Sequence, residues 1–226
     1  MILEMTRPVQ GGLRQEKKLD ATANHLANVD TAGFKKDVVS FDKMFKAKLN
    51  TDLTQGDIKH TGNTLDLALA DEGFFKVDTP AGIRYTRNGT FTLNENNVLV
   101  NQNGDAVLGQ AGQIFLDGEN IDINKNGEIF ADNELIDTLD IVTFDNLENL
   151  MKQGHGNFAY NGDPGDEQVP DTINVKQRAI EGSNVETVNE MVKMVDHNRM
   201  YEVFQKMIIT FDEVDGKAIN EVGKLQ

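Results

Sequence analysis

The stretch that looks most like a chemical site is Asp122-Ile-Asn-Lys-Asn-Gly127-Glu128-Ile129. Oxygen ligands at alternating positions, with a glycine at the sixth, are how an EF-hand loop wraps a calcium ion. Such a loop closes with a bidentate glutamate at its twelfth position, and here that position is Asn133. Lys125 also stands among the ligands, and both flanks read as strands rather than helices. The expectation is a plain β-turn with no tight calcium site.

The other reactive residue types form no constellation. Histidines stand at 25, 60, 155 and 197, two of them in opposite terminal segments, and the chain has no cysteine. Zinc needs converging nitrogen and sulfur ligands, so His197 reads as a helix-surface or packing residue. There is no Gly-x-Ser-x-Gly elbow and no P-loop. A glycosidase needs two carboxylates facing each other in a cleft; the adjacent acids Asp71-Glu72 and Asp166-Glu167 read as solvated loop surface instead. Met191, Met194, Met200 and Met207 read as adaptable packing on a helix that meets several neighbours. The expectation is a chain without catalytic residues, cofactor or metal: not an enzyme.

The chain has 226 residues, 38% of them hydrophobic, with three Tyr and no Trp. That is enough for one large or two small domains. Its net charge of −15 is unevenly spread: +3 over 1–48, −14 over 49–179 and −4 over 180–226. An acidic middle repels nucleic acid and anionic lipid, so neither is an expected partner. No apolar run approaches the ~20 residues of a membrane span, and residues 1–20 lack the apolar segment of a cleaved signal peptide.

Helical spacing is clearest at the two ends. Ser183-Asn184-Val185-Glu186 has the form of a capping box, a serine oxygen taking a free N–H while the glutamate reaches back. Val185, Val188, Val192 and Val195 then step by threes and fours, and Tyr201, Phe204, Ile208, Phe211 and Val214 continue the pattern. A helix over 183–225 would be a rod of roughly 60 Å, and an apolar stripe on such a rod calls for a partner helix. The partner is at the other end, where Val9, Leu13, Leu19, Ala23 and Leu26 are spaced alike. Pro8 is tolerated in a first helical turn, which puts the start of this helix near Arg7 and leaves 1–6 as a separate tail. Gly11 and Gly12 each cost about 1 kcal/mol of helix propensity, so this helix needs packing to form.

Between the ends the punctuation is that of β structure. Residues 35–62 read as an extended connector, with Thr54-Gln55-Gly56 and Thr61-Gly62-Asn63 as turns around a short strand. The alternation of Leu65-Asp66-Leu67-Ala68-Leu69-Ala70 and the run Gly73-Phe74-Phe75-Lys76-Val77 read as strands, and Asn88-Gly89 as a hairpin turn. Asn94–Asn97, Asn103-Gly104 and Asn126-Gly127 repeat that turn chemistry. Residues 135–144 offer one more strand, and 154–170, with four glycines and two prolines, reads as a mobile loop. The expected fold is α+β: long N- and C-terminal helices packed as a coiled-coil-like pair with an inserted all-β domain. The expected divisions are an N-terminal helical arm at 1–34, the connector at 35–62, the acidic β-rich domain at 63–178, and a C-terminal arm at 179–226 that packs with the first.

Several of these pieces resemble one family. Leu26-Ala27-Asn28, Thr31 and Gly33-Phe34-Lys35 are similar to the N-terminal signature of the bacterial flagellar axial proteins. The pieces LDLALADEGFF, YTRNGTFTLN and NQNGDAVLG within 65–109 resemble the β core shared by its rod and hook members. Glu181 and Ser183-Asn184-Val185 match its C-terminal entry. The chain departs from the family at His25, where asparagine is usual, at Ala32, where proline is common, and at Arg178, where glycine is common. The resemblance weakens over 110–178. Hook members are much longer, and the extra segment that distal-rod members carry after their first helix is missing between Phe41 and Gly62, so proximal-rod members fit best and distal-rod members second.

This resemblance implies a structural subunit of the basal-body rod, the periplasmic drive shaft. It implies polymerisation through the terminal helices, with other rod and hook proteins as partners. It also implies export through the flagellar type III apparatus without a cleaved signal. The assembly residues it points to are Leu13, Leu19, Ala23, Leu26, Asn28, Gly33 and Phe34 at one end and the 185–214 stripe at the other. The competing reading is a secreted β-domain adhesin or binding module on a helical stalk, which accounts for the acidity and the turns but not for signatures at both ends.

Overall fold

The computed structural model describes residues 2–42, 46–118 and 120–222. These fall into two compact units. A helical unit holds the described residues of Met1–Asn28, Asp37–Asn50 and Val185–Gln226, and a β unit holds those of Val29–Lys36 and Thr51–Asn184.

The helical unit consists of α1 (Ile2–Ala27), α2 (Thr187–Val222) and a two-stranded sheet of Asp37–Phe41 and Ala47–Thr51. Both helix starts differ from the sequence expectation. α1 begins at Ile2, not near Arg7, and runs through Pro8. Proline lacks an N–H, so this forfeits the bond to the carbonyl four residues back, close to an end where bonds are already few. α2 begins at Thr187, so Ser183 is not its N-cap. Within the expected capping box, the Glu186 carboxylate accepts from the Asn189 amide instead of reaching back, and the intervening Asn184 bonds to 34–36 and 52–54. Among the described residues no helix is long and apolar enough to cross a membrane.

The β unit is built on a ten-stranded sheet. Its main path runs Leu150–Gly154, Asn157–Tyr160, Gly82–Thr86, Phe74–Thr79, Ala106–Gly109, Leu99–Asn101, Phe91–Leu93. Successive side chains of a strand point to opposite faces, and Phe74–Thr79 shows the result. Phe75 and Val77 enter one core with Leu67, Phe91, Leu99, Val107, Ile129 and Leu139. Phe74 enters a second with Tyr85, Val142, Phe144, Leu150 and Phe158. Rings meet edge to face in both, Phe75 with Phe91 at 5.2 Å and Phe74 with Phe158 at 5.8 Å between centroids. Each large side chain so buried stabilises the fold by about 1.5–3 kcal/mol.

Three hairpin turns share one device. Asn94, Asn101 and Asn124 each accept, through the side-chain oxygen, the N–H groups two and four residues on. The residue three positions on, Asn97, Gly104 or Gly127, takes positive φ. The calcium-like stretch at 122–133 is therefore a hairpin between Ile121–Ile123 and Glu128–Ala131. The Asn124 oxygen, at the third ligand position, is committed to backbone donors within the turn.

Other expectations are corrected. Asn88-Gly89 is not a hairpin turn: Gly82–Thr86 and Phe91–Leu93 are not neighbours, and the chain crosses between them. Gly89 sits where any side chain would strike the Leu67 carbonyl, and its own carbonyl accepts the Leu67 N–H at 2.9 Å. Close backbone approach, rather than a turn, requires that glycine. Leu67–Leu69 is buried on both faces rather than alternating, and its polar neighbour Asp66 is satisfied by Thr61 and Asn63. Residues 135–144 contribute to two strands, Glu134–Thr138 and Ile141–Phe144, in different sheets. The expected loop at 154–170 supplies Asn157–Tyr160, a strand of the main sheet with Phe158 buried, because its glycines serve the tight turn at His155-Gly156. The connector at 35–62 carries unexpected strands at Asp37–Phe41 and Ala47–Thr51, while the short strand expected between its two turns is Ile58–His60, which pairs Ala179–Glu181.

Arg178 stands at φ 60°, in the left-handed region, with an exposed side chain. An L-residue pays about 1–2 kcal/mol there. Arg178→Gly is expected to raise the melting temperature of the β unit by about 2–4 °C, read by circular dichroism. A fall would show that the arginine side chain holds something that its exposure conceals.

Candidate assembly interface

The residues of α2 divide into two lines. Glu190, Met194, His197, Tyr201, Phe204 and Ile208, at steps of four and three, are buried or half-buried. Val188, Val192, Val195, Phe211 and Val214 are exposed, from 38% at Phe211 to 76% at Val188. Val185, before the helix, is buried. The expected stripe is thus split: Tyr201, Phe204 and Ile208 are covered, and the rest of the helical part faces solvent.

α1 shows the same split. Gly12, Thr22 and His25 are buried, with Gln15 and Lys18 half-buried, whereas Val9 and Leu13 are 42% and 56% exposed. Ala23 is exposed; Leu19, Leu26 and Asn28 are half-buried. What α1 turns inward is small and polar, and part of its apolar stripe is left outward.

Among the described residues, two of the contacts between α1 and α2 stand out. The Phe204 ring lies against Gly11, where any side chain on α1 would collide with it, and a Cβ added at Gly12 would stand 3.7 Å from Phe204 Cβ. The glycines that weaken the helix in isolation are what lets an aromatic ring reach its backbone. The second contact is His25, buried, with Nδ1 3.0 Å from Glu190 Oε2. Its Nε2 accepts the Asp37 N–H at 2.9 Å, which fixes the neutral ring as the tautomer donating from Nδ1. One side chain thus joins α1, α2 and the start of Asp37–Phe41. Arg14 adds to this, its guanidinium 5.1 Å from the centre of the Phe41 ring. At Glu190 burial works to raise the carboxyl pKa, but hydrogen bonds from Lys193 and His25 outweigh it and hold the group below the usual range. His197 is pushed down by burial.

Gly33 and Phe34, assigned to the N-terminal arm, lie in the β unit. Gly33 takes φ 66° and packs on the backbone of Arg87 and Asn88. Phe34 lies under the Lys152 ammonium at 4.6 Å, and that ammonium also donates to the Lys35 carbonyl. The acidic pairs are partly built into the fold: Glu167 binds Lys76 and Tyr85, and Asp166 binds Tyr160. Burial is the first cause that pushes the Tyr85 hydroxyl up to about 12.

Comparison with known proteins fits this arrangement. Residues 176–221 match the family described as the C-terminal part of flagellar basal body rod FlgEFG proteins. Residues 68–131 match the D1 domain of the flagellar hook protein FlgE/F/G group, so the likeness runs past 110, where the sequence resemblance weakens. The flagellar basal-body rod protein FlgF of Caulobacter vibrioides is 31% identical over 92% of this chain and 93% of its own length. The chain belongs to the flagellar basal-body rod protein family. FlgF of Mesorhizobium japonicum is 30% identical over 92% of both chains, and the rod protein FlgG of Bacillus subtilis 28% over 97% of this chain and 99% of its own. The family's C-terminal region contains α2 and its two lines, and the D1 region contains the three asparagine-capped hairpins.

Sequence reasoning missed His25 and Gly11 as contact residues. A histidine on a helix carries no local mark of its partners, and a glycine reads only as a propensity loss until the ring opposite is known.

Proposed function

We propose that this rod protein is a structural subunit that polymerises through α1 and α2 into a torque-transmitting shaft, with no catalytic role. The observation that carries this reading is the exposed apolar line on α2, Val188, Val192, Val195, Phe211 and Val214, beside Val9 and Leu13 on α1. Apolar surface of that extent on a soluble chain marks a surface meant for another protein. The covered line steps by fours and threes as in coiled coils, so neighbouring subunits can continue the same interdigitation, helices inside and β units outside. Such packing resists shear because close-packed side chains leave no soft path.

The partners in this reading are copies of itself and other rod and hook proteins in the basal body. The place is the proximal rod, with the distal rod as the alternative. Export is through the flagellar type III apparatus, unfolded and without a cleaved signal. Deleting the gene in the source bacterium and imaging basal bodies by electron microscopy tests it. Truncated or missing rods, restored by the intact chain, are expected. Normal flagella with lost surface attachment would favour the adhesin reading and overturn this one.

A further inference from the structure

Stretches of the β unit far apart in sequence meet at two side chains near its end, Glu181 and Asn184. Glu181 is fully buried. Its Oε1 accepts from the Lys35 ammonium and from Gly56 N–H at 2.9 Å, and its Oε2 pairs with Arg87 Nε at 3.0 Å. Lys35 donates to the Thr54 carbonyl at 2.7 Å, and Arg87 to the carbonyls of Asp71 and Gly73. The Glu181 carbonyl accepts Gly33 N–H at 2.7 Å. Asn184 accepts Lys36 N–H at 2.8 Å through its oxygen. Its amide donates to the Asp52 and Thr54 carbonyls at 2.9 and 3.2 Å, and its N–H to the Phe34 carbonyl at 3.3 Å.

Residues 33–36 and 52–56 lie outside the regular strands. They are linked directly by the bond from Asp52 N–H to the Lys36 carbonyl at 2.8 Å, the Lys35 ammonium on the Thr54 carbonyl, and the Lys36–Asp52 ion pair at 3.4 Å. Backbone groups shut away from water must find partners, and here many of the partners belong to 181–184. The chain passes between the two units beside residues 28, 36, 50 and 184, so segments 29–36 and 51–56 and residue 184 include the β-unit side of every passage. The N-terminal turn and the C-terminal entry, distinct stretches of sequence, are two halves of one structure.

We propose that Glu181 and Asn184 are positioning residues that together form a latch, setting residues 33–36 and 52–56, which take up their conformation only once the chain through 184 is in place. The N-terminal turn, made early, is fixed last. Neither core of the sheet includes Glu181 or Asn184, although Leu53 of the latched segment packs against the second. Burial lowers the Lys35 pKa, and the charge and hydrogen bond of Glu181 partly offset it.

Amide hydrogen exchange on the full-length chain tests this, with Asn184→Ala and Glu181→Gln. In Asn184→Ala, exchange at Gly33, Lys36, Asp52 and Gly56 is expected to rise about tenfold or more, from the loss of a few part-buried hydrogen bonds. Leu99 and Leu116, buried residues whose N–H groups bond to the Ile114 and Asn97 carbonyls, are expected to keep their parental rates. Asn184→Asp retains the acceptor and is expected to keep Lys36 protected while Asp52 is released. Glu181→Gln is expected to show the same local pattern, more strongly at Gly56. A rise shared equally by Leu99 and Leu116, no rise at the four sites, or an Asn184→Ala chain with no folded β unit would each overturn the latch.

Discussion

A chain carrying Val192→Asp is expected to fold as its parent does and to be left out of the rod. Val192 is 56% exposed in the single chain, and a surface substitution of that kind alters stability by no more than about 0.5 kcal/mol. In a packed subunit contact the same carboxylate is stripped of water with no partner, at a cost of several kcal/mol, repeated in every subunit. Phe211→Asp is expected to do the same from further along α2. Ile208→Asp provides the contrast, because Ile208 is on the covered line and its loss weakens the helical unit itself. Melting of the helical unit, followed by circular dichroism, and electron microscopy of basal bodies separate the cases. Parental rods containing Val192→Asp would remove the exposed line from the interface.

Helical spacing was legible at both ends because apolar residues at threes and fours write a periodicity into the sequence whatever they contact. It did not say which stripe faces inward. In α1 the covered face is glycine, glutamine, threonine and histidine, which no hydrophobic pattern marks, and the apolar stripe is the one left partly outward. The capping box at Ser183 failed for a related reason. Asn184 has partners 130 and 148 residues away, at Thr54 and Lys36, that compete with the local cap. Sequence sees the local option alone.

Turn chemistry was legible where the glycine or asparagine serves only its own turn, as at Asn103-Gly104 and Asn126-Gly127. At Asn88-Gly89 the same dipeptide answers to the Leu67 carbonyl, a tertiary demand without a local trace. The strand Asn157–Tyr160 was hidden by its neighbours: two glycines flanking His155 and the acids that follow gave the whole segment the composition of a loop. Of the latch, only its members could be quoted as separate signatures; that Lys35, Arg87 and Glu181 share one buried centre is a fact of topology.

Gly33→Ala is expected to cost the β unit about 3 kcal/mol or more, among the largest effects of any single methyl added to this chain. Two penalties combine. The residue takes φ 66°, a conformation that costs an L-residue about 1 kcal/mol or somewhat more. The added carbon would also run into the backbone of Arg87 and Asn88, which cannot rotate aside as a flexible side chain would. To relieve the collision the turn must move, and the 2.7 Å bond from Gly33 N–H to the Glu181 carbonyl is strained with it. Gly62 separates the two penalties. It takes φ 83° with open space around it, so Gly62→Ala carries the conformational cost alone, about 1 kcal/mol. Urea unfolding of both variants reads the difference directly. If Gly33→Ala were no more harmful than Gly62→Ala, the turn at 33 would not be packed on the Arg87–Asn88 backbone as described.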